Sequence, residues 1–298
     1  MSKVLITGAT GFIGNHVPRL CLDQGHQVRV MVMKGEDRTP LDGMNVEFVE
    51  GNLLEPDSLT AAVQGMDRMF HLAALFAVWT KDPDLHYKIN VEGTRHLMKA
   101  ALAAGVEKIV YTSSIAAIGT DGKGTPSTEK TPFASWHFAS EYIMSKYISH
   151  LEVKGMVKDG LPVTMVMPAL PFGPGDRMPT PTGTMIIGAL KGKMKNYWDG
   201  GVCPVDVRDV AAGHILAMDK GRMFASGPIR SALESYEARI AVSEAPEVVC
   251  VERESVSQPD GLPCRIKEVF FRDQDGEITA APSTGHVASL CVRAYSGE

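Results

Sequence analysis

The stretch Lys3-Val4-Leu5-Ile6-Thr7-Gly8-Ala9-Thr10-Gly11-Phe12-Ile13-Gly14 decides how the chain is read. Its first five residues form a short, largely apolar run that stops at Gly8, the pattern of a strand buried in a parallel sheet. The glycines follow at once, spaced G-x-x-G-x-x-G. Beyond them Phe12, Ile13, Val17, Leu20 and Cys21 recur at helical spacing, and Gly25 ends the pattern. Glycines between a strand and a helix let backbone N–H groups and the helix N-terminus approach a pyrophosphate. A ligand-free tight turn would use glycine too, but the position between strand and helix favours the ligand. Pro18, seven residues after Gly11, is expected to interrupt a hydrogen bond and bend the helix.

Outward from this turn, strands and helices alternate. Gln27–Met33, Val46–Val49, Met69–Ala74, Lys108–Ser114 and Leu161–Met167 read as further strands, the last ending at Pro168. Pro56–Val63 reads as a short helix. Asp84 can cap another, in which Leu85, Ile89, Leu97, Met98, Ala101 and Leu102 face inward and Gly105 ends the run. Asn90 falls on that helix. A further helix carries Tyr142 and Lys146 to about Val157. A short one passes through Met185, Ile186 and Leu190, and Val207–Met218 forms a third. The alternation predicts an α/β fold, a doubly wound parallel sheet of Rossmann type with a small, interleaved C-terminal substrate region. The expected organisation is a dinucleotide-binding domain over 1–168, a substrate-covering segment with a late helix over 169–222, and an atypical tail over 223–298.

The 298 residues are 44% hydrophobic, enough for a sizeable core in one large domain or two intimate ones. A net charge of −5 gives no sign of a nucleic-acid surface. No apolar run approaches the ~20 residues of a membrane span. The chain starts Met1-Ser2-Lys3 and enters its first strand with no signal peptide. The five cysteines show no metal-ligand spacing, and their odd number argues against a full disulfide framework. A reduced cytosol is the expected compartment.

Tyr142 and Lys146, four residues apart on a helix, lie on one face. A free phenol titrates near pH ~10, too high for a good proton shuttle at neutral pH. A lysine ammonium one turn away favours the phenolate, and a cationic nicotinamide ring pushes the same way. An ordinary exposed pair has the same spacing, so the pair gains meaning only beside the glycine turn and Tyr111-Thr112-Ser113-Ser114. His71 reads as a packed strand histidine rather than a catalytic base. Leu75 to Asp84, irregular and aromatic, follows a strand's C-terminal end, where such folds bind ligands. An acidic residue about 20 positions beyond the glycines would bind a ribose 2′-OH. Met33, Lys34 and Gly35 fill that window, and Glu36 and Asp37 are expected in the loop. Lys34 and Arg38 therefore lean the reading toward NADP over NAD, with solvated loop cations as the plain alternative. Arg177 is either a contact for an anionic substrate or another solvated cation.

With these residues in hand, the chain resembles the extended short-chain dehydrogenase/reductases. Thr7–Gly14 is similar to their cofactor turn. His71-Leu72-Ala73-Ala74, Asn90-Val91-Glu92-Gly93-Thr94 and Tyr111-Thr112-Ser113-Ser114 are similar to their later signatures. Pro168–Asp176 resembles their sixth-strand exit, and Asp206–Ala211 their late helix entry. The match spans roughly residues 1–222, and the nearest branch is the dihydroflavonol-4-reductase-like enzymes and the hopanoid-associated sugar epimerases. The resemblance implies that Tyr142 exchanges a proton with a substrate oxygen and that Ser114 hydrogen-bonds that oxygen. It implies that Lys146 binds the nicotinamide ribose and lowers the Tyr142 pKa. The residues expected to hold NADP or NAD are Gly8, Thr10, Gly11, Phe12, Ile13, Gly14, Lys34, Arg38, Asn52, Leu53, Ala73, Lys146 and Pro168. Met33 departs from the basic residue of many relatives, which weakens the NADP reading, and Asn52 departs from their Asp.

The activity implied is reversible hydride transfer between a carbonyl and an alcohol on a small organic substrate. The alternatives are a nucleotide-sugar epimerase or dehydratase with tightly held NAD, and a sensor or regulator that kept the fold but lost turnover. The expected partner is a small molecule, and a homodimer is left open. After Arg222 the pattern changes abruptly. Ser231–Ile240 reads as a helix, and Lys267–Phe271 with Glu277–Thr279 as a hairpin. The tail is either a divergent subdomain or the product of an altered reading frame or replaced terminus.

Overall fold

Thr7, the last residue of strand β1 (Lys3–Thr7), lies at the centre of a six-stranded sheet. The other strands are β2 (Gln27–Val32), β3 (Glu47–Glu50), β4 (Arg68–His71), β5 (Lys108–Thr112) and β6 (Val163–Val166). Their order is β3-β2-β1-β4-β5-β6, and every pairing is parallel. The computed structural model describes residues 1–77, 79–119, 127–193 and 203–220, together with three strands beyond them. Strand order reverses between β1 and β4, so their C-terminal ends open a crevice of the kind that binds ligands in such sheets.

The period of two along β1 sorts its side chains onto two cores. Val4 and Ile6 join Val30, Phe70 and Val110 against helices α1 (Val17–Asp23) and α7 (Val207–Lys220). Leu5 joins Met31, Met69 and Ile109 on the other face. There α2 (Pro56–Val63), α4 (Thr94–Ala103) and α5 (Glu141–Met156) supply Leu59, Leu97 and Val153. With both faces covered, the strands read as continuous apolar runs rather than alternating ones.

Three expectations change here. The first helix does not bend at Pro18. A 3₁₀ turn, Gly14–His16, comes first, and α1 starts only at Val17. Pro18 therefore falls in the first turn, where its missing N–H removes nothing. The single helix expected after Asp84 is broken. A short α3 (Leu85–Tyr87) passes into a π-helical turn, Lys88–Gly93, before α4. β4 ends at His71: Leu72 N–H makes a last bond to the Thr7 carbonyl at 3.1 Å, and Ala73 N–H leaves the ladder for the Thr7 hydroxyl at 3.3 Å.

Beyond β6, β7 (Leu170–Phe172) pairs in parallel with β8 (Pro204–Asp206), and α6 (Pro181–Leu190) lies between them in sequence. The chain divides into two compact units, Met1–Ile186 with Gly200–Met223, and Ile187–Asp199 with Phe224–Glu298. Within the second, β9 (Cys264–Arg272), β10 (Ile278–Thr279) and β11 (Ser289–Ser296) form an antiparallel sheet of order β10-β9-β11. β9 and β10 make the expected hairpin, and β11 was not foreseen. The expected helix Ser231–Ile240 lies outside the described residues. Among the described residues, no helix is long and apolar enough to cross a membrane.

His71 is fully buried and shares hydrogen bonds with Thr7 Oγ1 (2.8 Å) and Thr94 Oγ1 (2.9 Å). Burial, then the Lys146 charge, pushes its pKa down to about 3, and burial pushes that of His214 down to about 4. Both stay neutral in the fold at pH values where the unfolded chain binds protons. Stability should therefore fall as pH drops from about 6.5, each group costing up to about 1.4 kcal/mol per pH unit until its folded pKa is reached. Thermal unfolding at pH 7 and pH 5 checks this: Tm should drop at pH 5, and by less in His71→Gln. An equal drop in both proteins would contradict it.

Candidate active site

The glycine turn is shaped by contacts that admit no side chain. Gly8 has φ +73°, and a Cβ there would lie 2.6 Å from the Ala73 nitrogen. A Cβ on Gly14 would lie 1.9 Å from the Gly8 carbonyl oxygen. The turn closes through Gly11 N–H donating to that carbonyl at 3.1 Å. Gly8, Gly11, Phe12, Ile13 and Gly14 form one end of a cavity of about 790 Å³. Ser114, Tyr142, Lys146 and Pro168 line the same cavity.

Each polar residue in that wall is set by its element. Ser114 follows β5 in extended conformation, and its hydroxyl accepts from Ala116 N–H at 3.1 Å, capping a 3₁₀ turn. Ser140 caps α5 by accepting from Ile143 N–H at 3.3 Å, which places Tyr142 in the helix's first turn. The Tyr142 ring packs on Phe76, centroids 4.8 Å apart, with the His86 ring at 6.4 Å. Lys146 is 3% exposed, and its Nζ donates to the Thr112 carbonyl at 2.8 Å and the Tyr111 hydroxyl at 3.4 Å. Burial pushes its pKa below the ordinary lysine value, while the neighbouring Tyr142 phenol acts the other way. Tyr111 is bonded to Ser149 at 2.6 Å and pushed up to about 12 by burial, so it stays neutral and offers no competing acid at neutral pH.

Asn90 joins these parts. Its amide accepts from Leu75 N–H (2.7 Å) and donates to the Leu75 carbonyl (3.0 Å) and to Ser145 Oγ (3.0 Å). Ser145 in turn donates to the Tyr142 carbonyl at 2.8 Å. The π-helical turn therefore ties the chain leaving β4 to α5, and with it Phe76 to Tyr142. Asn90→Ala would leave the part-buried Leu75 N–H and carbonyl without this partner and take one of the two bonds of Ser145, at a cost of about 2–4 kcal/mol. Urea unfolding measures it, and a loss under about 0.5 kcal/mol would contradict this role.

The other expected cofactor residues lie outside the cavity wall. Ala73 packs on Gly8, and Leu53 is buried in the core. Asn52 spends its amide on the turn into α2, accepting from Leu54 N–H (3.0 Å) and donating to Glu55 (3.2 Å). Lys34 is exposed, and the Arg38 guanidinium sits 4.7 Å from the Phe48 ring centroid. Thr10 donates to a residue that the sequence reading left in a loop. The Glu36 carboxylate accepts from the Thr10 hydroxyl and from Met33 N–H (2.6 Å). Gly35, with φ +77°, turns the chain back at the end of β2 and brings Glu36 to the glycine turn. That glycine was the available signal. Arg177 pairs with Asp37 at 3.6 Å and bonds to Thr39. The cradle at Gly8 and Gly14, with the polar groups at the far end of the cavity, fits a dinucleotide whose pyrophosphate crosses the turn.

The chain is similar to several known proteins. A "Putative dihydroflavonol 4-reductase" of Synechocystis sp. is 39% identical over 217 residues, which is 73% of this chain and 63% of that protein. The chain thus spans less than two thirds of that curated relative. The crystal structure of gox2253 is 43% identical with a TM-score of 0.71, over 75% of this chain and 68% of that one. The UDP-glucose 4-epimerase of Thermus thermophilus, solved with NAD, is 28% identical with a TM-score of 0.64, over 73% of this chain and 75% of that one. The sequence profile of the NAD dependent epimerase/dehydratase family matches residues 4–229. That match, over a parallel sheet whose glycine turn, Ser114, Tyr142 and Lys146 meet in one cavity, shows that the chain belongs to the NAD dependent epimerase/dehydratase family.

Proposed function

We propose that this protein is an NAD(P)-dependent oxidoreductase that reduces a carbonyl group, or oxidises the matching alcohol, on a small organic substrate. The meeting of the glycine turn with Ser114, Tyr142 and Lys146 in one cavity carries the reading. Gly8, Gly11, Phe12, Ile13 and Gly14 would hold the pyrophosphate, and Pro168 with Lys146 the nicotinamide ribose. A bound nicotinamide dinucleotide supplies the hydride for reduction and takes it back in oxidation. Ser114 orients the substrate oxygen, and the Tyr142 hydroxyl gives that oxygen its proton. Lys146, already short of solvent, holds its charge against Tyr142 and favours the phenolate left behind. Ala169–Pro171 and Met178–Thr182 line the same cavity and would serve as the substrate segment. Lys146→Met should weaken both turnover and cofactor affinity, each by about tenfold or more, because one amine serves ribose and phenol. Rate and titration measured together check it, and an unchanged cofactor affinity would count against the ribose contact.

For the adenosine end, Glu36 outweighs the exposed Lys34. A carboxylate held by Thr10 and Met33 N–H beside the glycine turn suits a ribose 2′-OH and repels a 2′-phosphate. We therefore favour NAD, against the lean toward NADP drawn from Lys34 and Arg38. Glu36→Ser should tighten NADP binding by about tenfold, or about 1.4 kcal/mol, with little change for NAD. Titration of both cofactors tests this. An unchanged ratio would restore the NADP reading.

A second reading, a nucleotide-sugar epimerase, is favoured by the similarity to a UDP-glucose 4-epimerase solved with NAD. Incubation with NADH and a panel of aldehydes and ketones, and in parallel with NAD and a panel of nucleotide sugars, separates the readings. Reduced nicotinamide consumed in step with alcohol formed supports the oxidoreductase. Sugar isomerisation with no net consumption supports the epimerase. Bound cofactor with no turnover on any member supports a sensor or regulator.

A further inference from the structure

We infer that the substrate half of the cavity takes an uncharged carbonyl compound or alcohol with a large apolar body, and disfavours substrates that carry phosphate. The inference rests on the hydride-transfer reading and names the substrate class for it. Charge is the first observation. Among the described residues, Lys146 is the one charged side chain in the cavity wall, and it is engaged deep in the site by the Thr112 carbonyl. A nucleotide-linked substrate brings at least one full negative charge per phosphate and needs guanidinium, ammonium or open N–H groups to meet it.

The wall itself is the second. Beside Tyr142 it includes Phe76, which packs on the Tyr142 ring, with Ile118, Ile143, Leu170 and Met178 elsewhere in the wall. Phe76 and Met178 are 46% and 89% exposed, so apolar surface stands open at this site. Apolar area of this kind is stabilised by covering it at roughly 25 cal/mol per Å², which a hydrated phosphate cannot do.

The third lies at α6. Thr180, Pro181 and Thr182, at its N-terminus, line the cavity, and a helix N-terminus is the usual place for a fold to receive an anion. Here Thr180 already caps it, its hydroxyl accepting from Gly183 N–H at 3.1 Å, and a carboxylate stands against that cap. Asp176 accepts from Thr180 N–H at 2.9 Å and from Thr180 Oγ1 at 2.9 Å. It sits so close that a Cβ on Gly183 would lie 2.1 Å from Asp176 Oδ2. A phosphate at this end would meet a like charge in place of open donors. Arg177, the neighbouring cation, does not offset this, because its guanidinium is taken by Asp37 and Thr39 in the loop after β2.

The test titrates three probes into the full chain loaded with NADH, in its Tyr142→Phe form so that bound ketone is not reduced, reading nicotinamide fluorescence: the uncharged ketone 4-phenylbutan-2-one, UDP and UDP-glucose. NADH consumption is followed separately with Tyr142 intact. The ketone should saturate at a concentration at least tenfold below either nucleotide. Phe76→Ala should weaken the ketone about tenfold and leave the nucleotides unchanged. Asp176→Asn should tighten UDP several-fold and not the ketone. UDP or UDP-glucose binding as tightly as the ketone, a ketone affinity unchanged in Phe76→Ala, or no binding by any probe would each overturn the inference. A ketone that binds as described but consumes no NADH would sink the hydride-transfer reading and leave the assignment of an apolar, uncharged ligand standing.

Discussion

Tyr142→Phe is expected to lower carbonyl reduction by about 10²–10⁴-fold while dinucleotide affinity stays within about twofold of wild type. The substitution removes one oxygen. The ring stays against Phe76, and the helix keeps its Ser140 cap and its tie through Ser145 to Asn90. What is lost is the proton donor beside the substrate oxygen. Among the described residues lining the cavity there is no other phenol, and Tyr111 behind Lys146 is buried, bonded to Ser149 and pushed up to about 12. Steady-state rates with a matched cofactor titration give the result. Turnover within about fivefold of wild type would remove Tyr142 from the acid role.

The second large effect belongs to Gly14. A Cβ there would stand 1.9 Å from the Gly8 carbonyl, inside any real contact distance, and the neighbouring atoms are backbone that cannot swing aside. Gly14→Ala must therefore open the turn between β1 and the 3₁₀ turn that leads into α1. Opening it pulls apart the N–H groups gathered at the pyrophosphate position. Dinucleotide affinity should fall by at least about a hundredfold, or about 2.7 kcal/mol, with a further loss of stability of about 2–4 kcal/mol. Calorimetric titration and Tm measured on the same sample would show both. Near-normal cofactor binding in Gly14→Ala would mean that the dinucleotide does not cross this turn.

Much of the architecture was legible because the central strands are covered on both faces, so β1 and β5 carry their apolar runs openly in the sequence. The Tyr142 and Lys146 spacing marked one helix face, and the glycine spacing marked the turn. Other features depend on contacts that periodicity does not record. The inward positions from Leu85 to Leu102 keep their helical spacing through the π-helical turn, so nothing in the pattern shows the extra residue or the use made of Asn90. Glu36 looked like a loop carboxylate because its place is set by the backward turn at Gly35. Arg177 found its partners Asp37 and Thr39 far away in sequence. β11 pairs with β9 across a register shift that passes over Lys267 between Arg293 and Ala294, a pairing between distant segments that local pattern does not record.

The central claim is that hydride passes to a carbonyl carbon in this cavity while Tyr142 protonates the oxygen. The direct measurement is single turnover of protein loaded with reduced nicotinamide dinucleotide carrying two deuteriums at C4, mixed with an aryl ketone and followed by NMR of the product. The predicted result is an alcohol with deuterium on its carbinol carbon, formed by the wild type and not by Tyr142→Phe over the same time. An alcohol without deuterium at that carbon, or one formed equally fast by Tyr142→Phe, would contradict it.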